Sequence, residues 1–365
     1  MPELRRDPFS RNWVILAPER ARRPHPGDAP ADGPQCPFCP GHESSTPEEL
    51  WRLADEAGDW KVRVVRNRYP VLVPGPEPTA APAAPTAEPD GPQDPGPGEP
   101  AGRRLFRAAA GTGSHEVVIE SRSHGWDIPD GDDDAVADVL RACRDRTRAL
   151  RARRHPGLVV PFRNHGPAAG TSMPHPHSQI IALPLVPPSR RRLLETARDH
   201  FERHGSSLYA DVLDAELADG RRLVAVGGHA VALVPYAGRG PYETWILPRR
   251  PAASFADADD RELAETASLL RRTVTAVLSV LGPVSYNYVL ANAPDGEEGV
   301  PWYSWQLTLV PRTAAGAGFE LGTEMSITPV PPEDAAARLR AALPPRSPGD
   351  GGRGGPGGPG GPGRG

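Results

Sequence analysis

Chemically the richest stretch of this chain is Asn164-His165-Gly166-Pro167-Ala168-Ala169-Gly170-Thr171-Ser172-Met173-Pro174-His175-Pro176-His177-Ser178-Gln179, which leads into the apolar residues 180–183. In an extended backbone, His175, His177 and Gln179 share one face. The loop before them contains glycines and hydroxyl side chains, and such a loop brings backbone N–H groups close to anionic oxygens. An imidazole whose Nδ1–H is held by a carbonyl presents a neutral Nε2 as a nucleophile. The stretch therefore predicts phosphoryl-type chemistry beside a buried strand, with a histidine-rich turn or two metal ligands as alternatives.

A second motif, Cys36-Pro37-Phe38-Cys39, places two thiols in one turn. Two thiolates at this spacing can bind one Zn²⁺, which then needs two more nitrogen or sulfur ligands. Histidines are the candidates for them, while a redox pair or a chance spacing competes with the metal site. Three cysteines are too few for a disulfide framework, and Cys143 is interpreted as a structural residue of a helix.

Short runs of β-branched residues predict strands, and longer amphipathic runs predict helices. The predicted strands cover residues 13–16, 62–65, 116–120, 158–162 and 179–183, and the predicted helices cover residues 132–154, 189–204, 257–281 and 332–343. The helix at 257–281 opens with acidic residues and repeats apolar residues every three or four positions. This order is typical of an α+β fold with mostly antiparallel strands.

The second half of the chain repeats the order of the first. Glu116-Val117-Val118-Ile119 matches Glu243-Thr244-Trp245-Ile246, and His175-Pro176-His177 matches Ser304-Trp305-Gln306. Upstream, Pro70-Val71-Leu72-Val73-Pro74 matches Val231-Ala232-Leu233-Val234-Pro235. We therefore expect two related modules, each a mostly antiparallel sheet with flanking helices. The first, residues 1–188, has cysteine and histidine where the second, residues 189–345, has other residues.

The composition of the 365 residues sets further limits. A formal net charge of −4 gives no electrostatic case for a nucleic-acid partner. No run approaches the roughly 18 apolar residues of a membrane span, and the N-terminus has no apolar signal-peptide core, so a cytoplasmic protein with no membrane partner is expected. Residues 74–100 are rich in proline and are predicted to be a disordered insertion. Residues 346–365, rich in glycine and proline, are predicted to be a disordered tail.

The run Asn-x-Gly-x-x-x-Gly-x-Ser-x-Pro-His-Pro-His-x-Gln resembles the active-site segment of galactose-1-phosphate uridylyltransferases, a family of the histidine-triad superfamily. Three flanking pieces agree with it. Residues 5–24 look like the family's N-terminus, residues 36–41 like its metal knuckle, and residues 318–322 like its sugar-binding C-terminal stretch. The resemblance covers about residues 4–343, apart from the proline-rich insertion.

The resemblance implies one structural zinc site and a histidine nucleophile. The zinc ligands would be Cys36, Cys39, His124 and His175, with His115 as the rival for the third place. His177 matches the nucleophile, and Gln179 matches the residue that hydrogen-bonds the phosphoryl group. The substrate contacts implied in the same way are those of Arg20, Arg23, Asn67, Asn164, Gly170, Ser172, Phe319 and Glu320.

By resemblance, the expected activity is UDP-glucose–hexose-1-phosphate uridylyl transfer. His177 would take the uridylyl group from UDP-glucose and pass it to a hexose 1-phosphate such as galactose 1-phosphate, in a double displacement. The expected partners are the sugar nucleotide, the hexose 1-phosphate and a second copy of the chain in a homodimer.

The chain departs from the family pattern in two places. Ser304-Trp305-Gln306 stands where many members have ligands of a second metal, and Pro251 aligns with His124 of the first module, so no second metal is predicted. Ser178 stands where the best-known uridylyltransferases have glycine, and a serine there also occurs in relatives that resemble adenylyl-transferring phosphorylases. An ADP-glucose phosphorylase is therefore the nearest alternative, ahead of a nucleotide-binding protein without turnover and of simple hydrolysis of nucleotide substrates.

Overall fold

The computed structural model describes residues 1–8, 10–22, 36–75, 105–152, 157–314 and 317–345. Most of the predicted insertion at 74–100, the whole predicted tail at 346–365, and Arg23 lie outside the described residues. Among the described residues, no helix combines the length and the apolar character that a membrane crossing requires.

Thirteen antiparallel strands of the described residues form two sheets, flanked by helices. The three-stranded sheet has the order β2-β1-β5, with β1 at Glu3–Arg6, β2 at Trp13–Leu16 and β5 at Ala108–Ala110. The ten-stranded sheet has the order β3-β4-β6-β8-β7-β12-β13-β11-β10-β9. Its strands are β3 (Glu49–Ala54), β4 (Trp60–Arg66), β6 (Ser114–Ile119), β7 (Leu158–His165), β8 (His177–Leu183), β9 (Leu223–Val226), β10 (Ala230–Leu233), β11 (Thr244–Pro248), β12 (Tyr286–Ala291) and β13 (Gln306–Pro311).

Six α-helices accompany the sheets in the described part of the chain. They are α1 (Asp133–Arg151), α2 (Pro188–His204), α3 (Leu208–Asp219), α4 (Asp260–Leu281), α5 (Gly318–Thr323) and α6 (Pro332–Ala342). The α+β fold is therefore confirmed. The sequence analysis did not predict α3 or α5, and the predicted start of α4 at residue 257 is wrong. Residues Phe255–Asp257 form a separate 3-10 turn, and the helix starts after Asp259, whose carboxylate accepts the N–H groups of Arg261 and Glu262.

The two halves of the chain repeat one strand order and share one sheet. Reading outward from the centre, the N-terminal half contributes β7-β8-β6-β4-β3 and the C-terminal half contributes β12-β13-β11-β10-β9. They join where β7 pairs with β12, with Phe162 opposite Val289 and His165 opposite Tyr286. The prediction of two related modules is confirmed. Their boundary between residues 188 and 189 stays a prediction.

One part of the internal alignment is wrong. β10 pairs with β11 in the way that β4 pairs with β6, so the partner of β10 in the first half is β4. Residues 70–74, which resemble β10 in composition, instead follow β4 and make an isolated bridge from Val73 to Thr112. The short runs Val71-Leu72-Val73 and Ala232-Leu233-Val234 look alike in sequence, and only the strand pairing distinguishes them.

Helices α1 and α4 pack against each other and cover one face of the ten-stranded sheet. Leu140 of α1 and Leu270 of α4 are fully buried in the same core cluster as Ile246 and Tyr286 from the sheet. Each fully buried leucine contributes roughly 1.5–3 kcal/mol through removal of apolar surface from water. Cys143 is buried in α1, and burial raises the pKa of its thiol, as suits a structural residue.

Candidate active site and metal site

The two knuckle cysteines meet two histidines from distant parts of the chain. The Sγ atom of Cys39 lies 3.4 Å from Nδ1 of His124 and 3.6 Å from Nδ1 of His175. With Cys36, the four ligand atoms all lie within 4.8 Å of one another. Two sulfur and two nitrogen donors at this spacing can hold one metal ion of the kind that prefers tetrahedral coordination.

Hydrogen bonds to the backbone orient the donor atoms of Cys36, Cys39 and His175. The N–H of Cys39 bonds the carbonyl of Cys36 at 3.2 Å, which turns both thiols to one side. His175 Nε2 lies 2.8 Å from the carbonyl of Ser121, so its Nδ1 is the nitrogen left for a metal.

Electrostatics also favour a cation at this cluster. Burial and the neighbouring Cys36 raise the pKa of Cys39 to about 11, and burial lowers the pKa of His175 to about 4. The Cys39 thiol therefore resists ionisation while the His175 imidazole stays neutral. A divalent cation is the partner that would favour the thiolates and use the neutral imidazoles.

His177 begins β8 and is 7% exposed. Its Nδ1 lies 2.9 Å from the carbonyl oxygen of His175, which can only accept a hydrogen bond. Nδ1 therefore donates, and Nε2 of the neutral ring carries the lone pair. This is the arrangement that a histidine nucleophile needs.

His177 lies where two clefts meet. The first cleft has a volume of about 260 Å³ and the second about 420 Å³. Ser172, Met173 and His177 line both of them. The first cleft is also lined by Arg20, Phe38, Asn67, Tyr69 and Gln179, and the second by Asp127, Arg163, Asn164 and His165.

Comparisons with known proteins show the family of this chain. Residues 1–187 match the family model described as galactose-1-phosphate uridyl transferase, N-terminal domain. The chain belongs to the galactose-1-phosphate uridylyltransferase family. This is a family of nucleotidyltransferases, and the chain is an enzyme of that class.

Relatives with two different names match over nearly the whole chain. ADP-glucose phosphorylase of Arabidopsis thaliana is 33% identical, covering 93% of this chain and 92% of the relative. Galactose-1-phosphate uridylyltransferase of Haemophilus influenzae is 29% identical, covering 93% and 94%. The crystal structure of the Arabidopsis thaliana ADP-glucose phosphorylase with bound ADP-glucose superposes with a TM-score of 0.69 at 32% identity, covering 93% of this chain and 99% of that one.

Most of the residues expected from the uridylyltransferase family meet around His177. Arg20 is held at the first cleft by a hydrogen bond from its Nη1 to the carbonyl of Tyr69 at 2.6 Å. Asn164 lines the second cleft. Gly170 lies next to Asn164 and has φ +87°, a conformation that favours glycine.

Two of the expected residues lie elsewhere. Phe319 is half exposed on α5, and the Glu320 carboxylate accepts the N–H of Ala317 at 3.0 Å, capping that helix. Neither Phe319 nor Glu320 is among the described residues that line the two clefts. The expected hexose contacts are therefore not brought to His177 of the same chain, and Arg23 lies outside the described residues.

Ser178 faces away from both clefts. Its Oγ donates to Oε1 of Glu120 at 2.5 Å and lies 2.7 Å from the hydroxyl of Tyr288. Because side chains alternate along a strand, the serine after His177 points into the core beneath α1. The serine that distinguishes this chain from the best-known uridylyltransferases therefore does not touch the space where a nucleotide would lie.

A buried ionic network that the sequence analysis missed supports the same strands. Arg163 is 2% exposed, and its guanidinium lies 2.9 Å from Glu120 and 2.6 Å from Asp127. Burial raises the pKa of Glu120 despite this arginine, whereas Arg163 and His165 outweigh burial at Asp127 and lower its pKa. The signal was available as Arg163 directly after the predicted strand at 158–162 and Glu120 at the end of the predicted strand at 116–120, because buried charges must be paired.

The second histidine that the sequence analysis weighed as a ligand is not in the metal cluster. His115 lies in β6, is 5% exposed, and has its Nε2 2.8 Å from Oε1 of Gln179. His124, the favoured alternative, is the one beside Cys39.

In the C-terminal half, other residues occupy the positions that align with the metal ligands of the N-terminal half. Ser304 Oγ lies 3.4 Å from the amide nitrogen of Ala252, beside Pro251. A hydroxyl and a proline supply no ligand pair for zinc. The absence of a second metal site stays a prediction.

Proposed function

We propose that this protein transfers a nucleotidyl group from a nucleoside diphosphate hexose by way of a covalent intermediate on His177. The observation that supports it most is the hydrogen bond between His177 Nδ1 and the His175 carbonyl, which leaves Nε2 as the nucleophilic nitrogen where two clefts meet. In the first step, Nε2 attacks the α-phosphorus. The bond from that phosphorus to the bridging oxygen breaks, and hexose 1-phosphate leaves with the electron pair.

In the second step, an acceptor phosphate oxygen attacks the same phosphorus, and the P–N bond to His177 breaks. Gln179 and Ser172 would donate hydrogen bonds to the non-bridging oxygens in both steps, where negative charge is concentrated. Arg20, Asn67, Asn164 and Gly170 would contact the nucleotide. The covalent intermediate divides one transfer into two similar steps.

We infer UDP-glucose as the donor and galactose 1-phosphate as the acceptor, with UDP-galactose and glucose 1-phosphate as products. This choice is supported by the family model and by the uridylyltransferase relatives that cover the chain. Phe319 and Glu320 stay candidates for the hexose site, contributed from a second copy in a homodimer. We also propose a cytoplasmic location.

ADP-glucose phosphorolysis is the second candidate. Here the same histidine would carry an adenylyl group and pass it to inorganic phosphate. It is supported by a relative of that name at 33% identity and by a solved structure with bound ADP-glucose.

The decisive experiment is intact-mass spectrometry after separate incubation with UDP-glucose and with ADP-glucose, without acceptor. A uridylyl adduct on the wild type and none on His177→Ala would establish the donor and the nucleophile together. An adenylyl adduct alone would replace the uridylyltransferase with the phosphorylase. No adduct with either donor would contradict the proposal.

Zinc is the metal that we propose for Cys36, Cys39, His124 and His175. Their two sulfur and two nitrogen donors fit it, and four protein ligands leave no open position, so its part is structural. It would fix the knuckle that carries Phe38, which lies with its ring 5.8 Å from the His177 ring.

Metal analysis should find about one zinc per chain, because a closed tetrahedral site takes one ion. Cys36→Ser should lose it, while Cys143→Ser, at a buried cysteine outside the cluster, should keep it. Two zinc ions per chain would contradict the prediction that the C-terminal half has no metal site.

A further inference from the structure

We infer that His115 is a positioning residue, which holds the side-chain amide of Gln179 with its nitrogen towards the transferring phosphoryl group. The inference rests on the proposed nucleotidyl transfer through His177 and adds a residue to its mechanism. His115 and Gln179 are both almost completely buried, in the neighbouring strands β6 and β8.

The surroundings of His115 determine which ring nitrogen carries the proton. The backbone N–H of Val71 points at Nδ1 over 3.1 Å, and a backbone N–H can only donate. Nδ1 must therefore accept, so in the neutral ring the proton is on Nε2. A protonated Nε2 can bond only an acceptor, and Oε1 of Gln179 lies 2.8 Å from it.

A second amide near the same nitrogen does not compete for this proton. Asn67 Oδ1 accepts the N–H of Tyr69 at 2.8 Å, so the other end of that amide, Nδ2, is a donor. It lies 3.1 Å from His115 Nε2, farther than Gln179 Oε1. The hydrogen bond from the ring therefore goes to Gln179.

This bond decides what Gln179 presents to the first cleft. With Oε1 held by His115, the NH2 end of the amide faces the cleft, where it can donate to a non-bridging phosphoryl oxygen. With the amide reversed, the carbonyl oxygen would face the same negative charge and repel it. Fixed donors of this kind assist transfer because they need no rearrangement as charge develops.

Two substitutions of His115 separate the hydrogen bond from the rest of the ring. His115→Gln keeps a donor near the position of Nε2, whereas His115→Asn keeps an acceptor near the position of Nδ1 but has no donor that reaches Gln179. We expect His115→Asn to form the nucleotidyl adduct about 10- to 100-fold more slowly than the wild type. This loss of rate is no larger than the loss that follows removal of a whole oxyanion-hole donor. His115→Gln should recover most of that rate.

The measurement is time-resolved intact-mass spectrometry of the His177 adduct with UDP-glucose and with ADP-glucose, together with steady-state kcat and KM. The loss should appear in kcat and not in KM, because the contact matters most in the transition state. In a Gln179→Ala background, His115→Asn should have no further effect, since the amide that it positions is gone. Circular dichroism and thermal unfolding would show that each variant is folded.

Three results would overturn the inference: an unchanged rate in His115→Asn, equal losses in His115→Asn and His115→Gln, or an undiminished effect of His115→Asn in the Gln179→Ala background. The last two would mean that His115 acts by supporting the fold. Absence of any adduct on the wild type is a separate outcome, which would overturn the proposed function and this inference with it.

Discussion

Ser178 is next to the proposed nucleophile in sequence but belongs to the core. It links Glu120 of the N-terminal half to Tyr288 on β12 of the C-terminal half, and all three side chains are buried. A difference at this position between relatives is therefore a difference in how the two halves are joined beneath the site.

We predict that Ser178→Ala leaves the ratio of activity with UDP-glucose to activity with ADP-glucose unchanged. The same variant should lose about 1–3 kcal/mol of stability, because Glu120 and Tyr288 lose a buried hydrogen-bond partner. Initial rates with both donors and urea unfolding test these points. A reversal of donor preference would show that the serine reaches the nucleotide after all.

The second prediction at the residue scale concerns the ion pair between Arg146 of α1 and Glu116 of β6. It is buried and bidentate, with N–O distances of 2.7 and 2.8 Å. Arg146→Ala should cost about 3–5 kcal/mol in the free energy of unfolding, because it leaves a buried carboxylate without its partner.

Replacing both residues by apolar side chains, as in Glu116→Leu with Arg146→Met, should cost less than Arg146→Ala alone. Arg5→Ala, which removes an exposed pair with Glu3, is the control and should have no measurable effect. Equal losses at the buried and the exposed pair in denaturant unfolding would contradict this account.

At the scale of elements, five of the thirteen strands and four of the six α-helices in the described residues were predicted, because their signals are local. Residues 62–65, 116–120 and 179–183 alternate or cluster β-branched residues, and each matches an observed strand, with only Glu120 beyond the strand end. The helix α3 was missed, and residues 70–74 were aligned with the wrong strand. In both cases the local pattern is weak, and contacts with distant residues decide the structure.

Asp295, in the loop after β12, is expected to make the stability of the protein depend on pH. Burial and the nearby Glu298 raise the pKa of Asp295 from 3.8 to about 7. Between these two values Asp295 binds more protons in the folded protein than in the unfolded chain, so its contribution to stability should fall as pH rises from about 4 to 7 and should level off above that.

Asp295→Asn should remove the part of this slope that comes from the loop. Urea unfolding at several pH values between 5 and 8, with Asp295→Asn beside the wild type, measures it. The same slope in both proteins would assign the pH dependence to other groups.

At the scale of the whole molecule, the pairing of β7 with β12 makes one sheet of two halves. Both strands are central in the order, with neighbours on each side. A protein with such a shared sheet should unfold in one transition.

Val289→Pro tests this, because Val289 pairs with Phe162 on one side and Thr308 on the other. Proline removes a backbone donor from a central strand, and the cost should be about 3 kcal/mol or more. We expect calorimetry to show a single transition at lower temperature and adduct formation at His177 to weaken. Val289→Thr keeps the backbone N–H and the β-branched shape and is the matched control. Loss of the C-terminal half alone, with the N-terminal transition unchanged, would contradict the shared sheet.

The sequence by itself determined the α+β class, the repeat of the two halves, and the residues that gather at the candidate site. His177, Gln179 and the two knuckle cysteines stand in short motifs whose spacing limits what they can do, so nearby residues sufficed to identify them. The family resemblance favoured His124 over His115, but the actual contacts of Cys39 with His124 and, across 136 positions, with His175 needed the tertiary structure, as did the direction of Ser178. So did the join of β7 to β12 and the position of Phe319 and Glu320 away from His177. Each of these depends on strand pairing between distant segments, and the register of such pairing is set by the packing of the whole core rather than by local sequence.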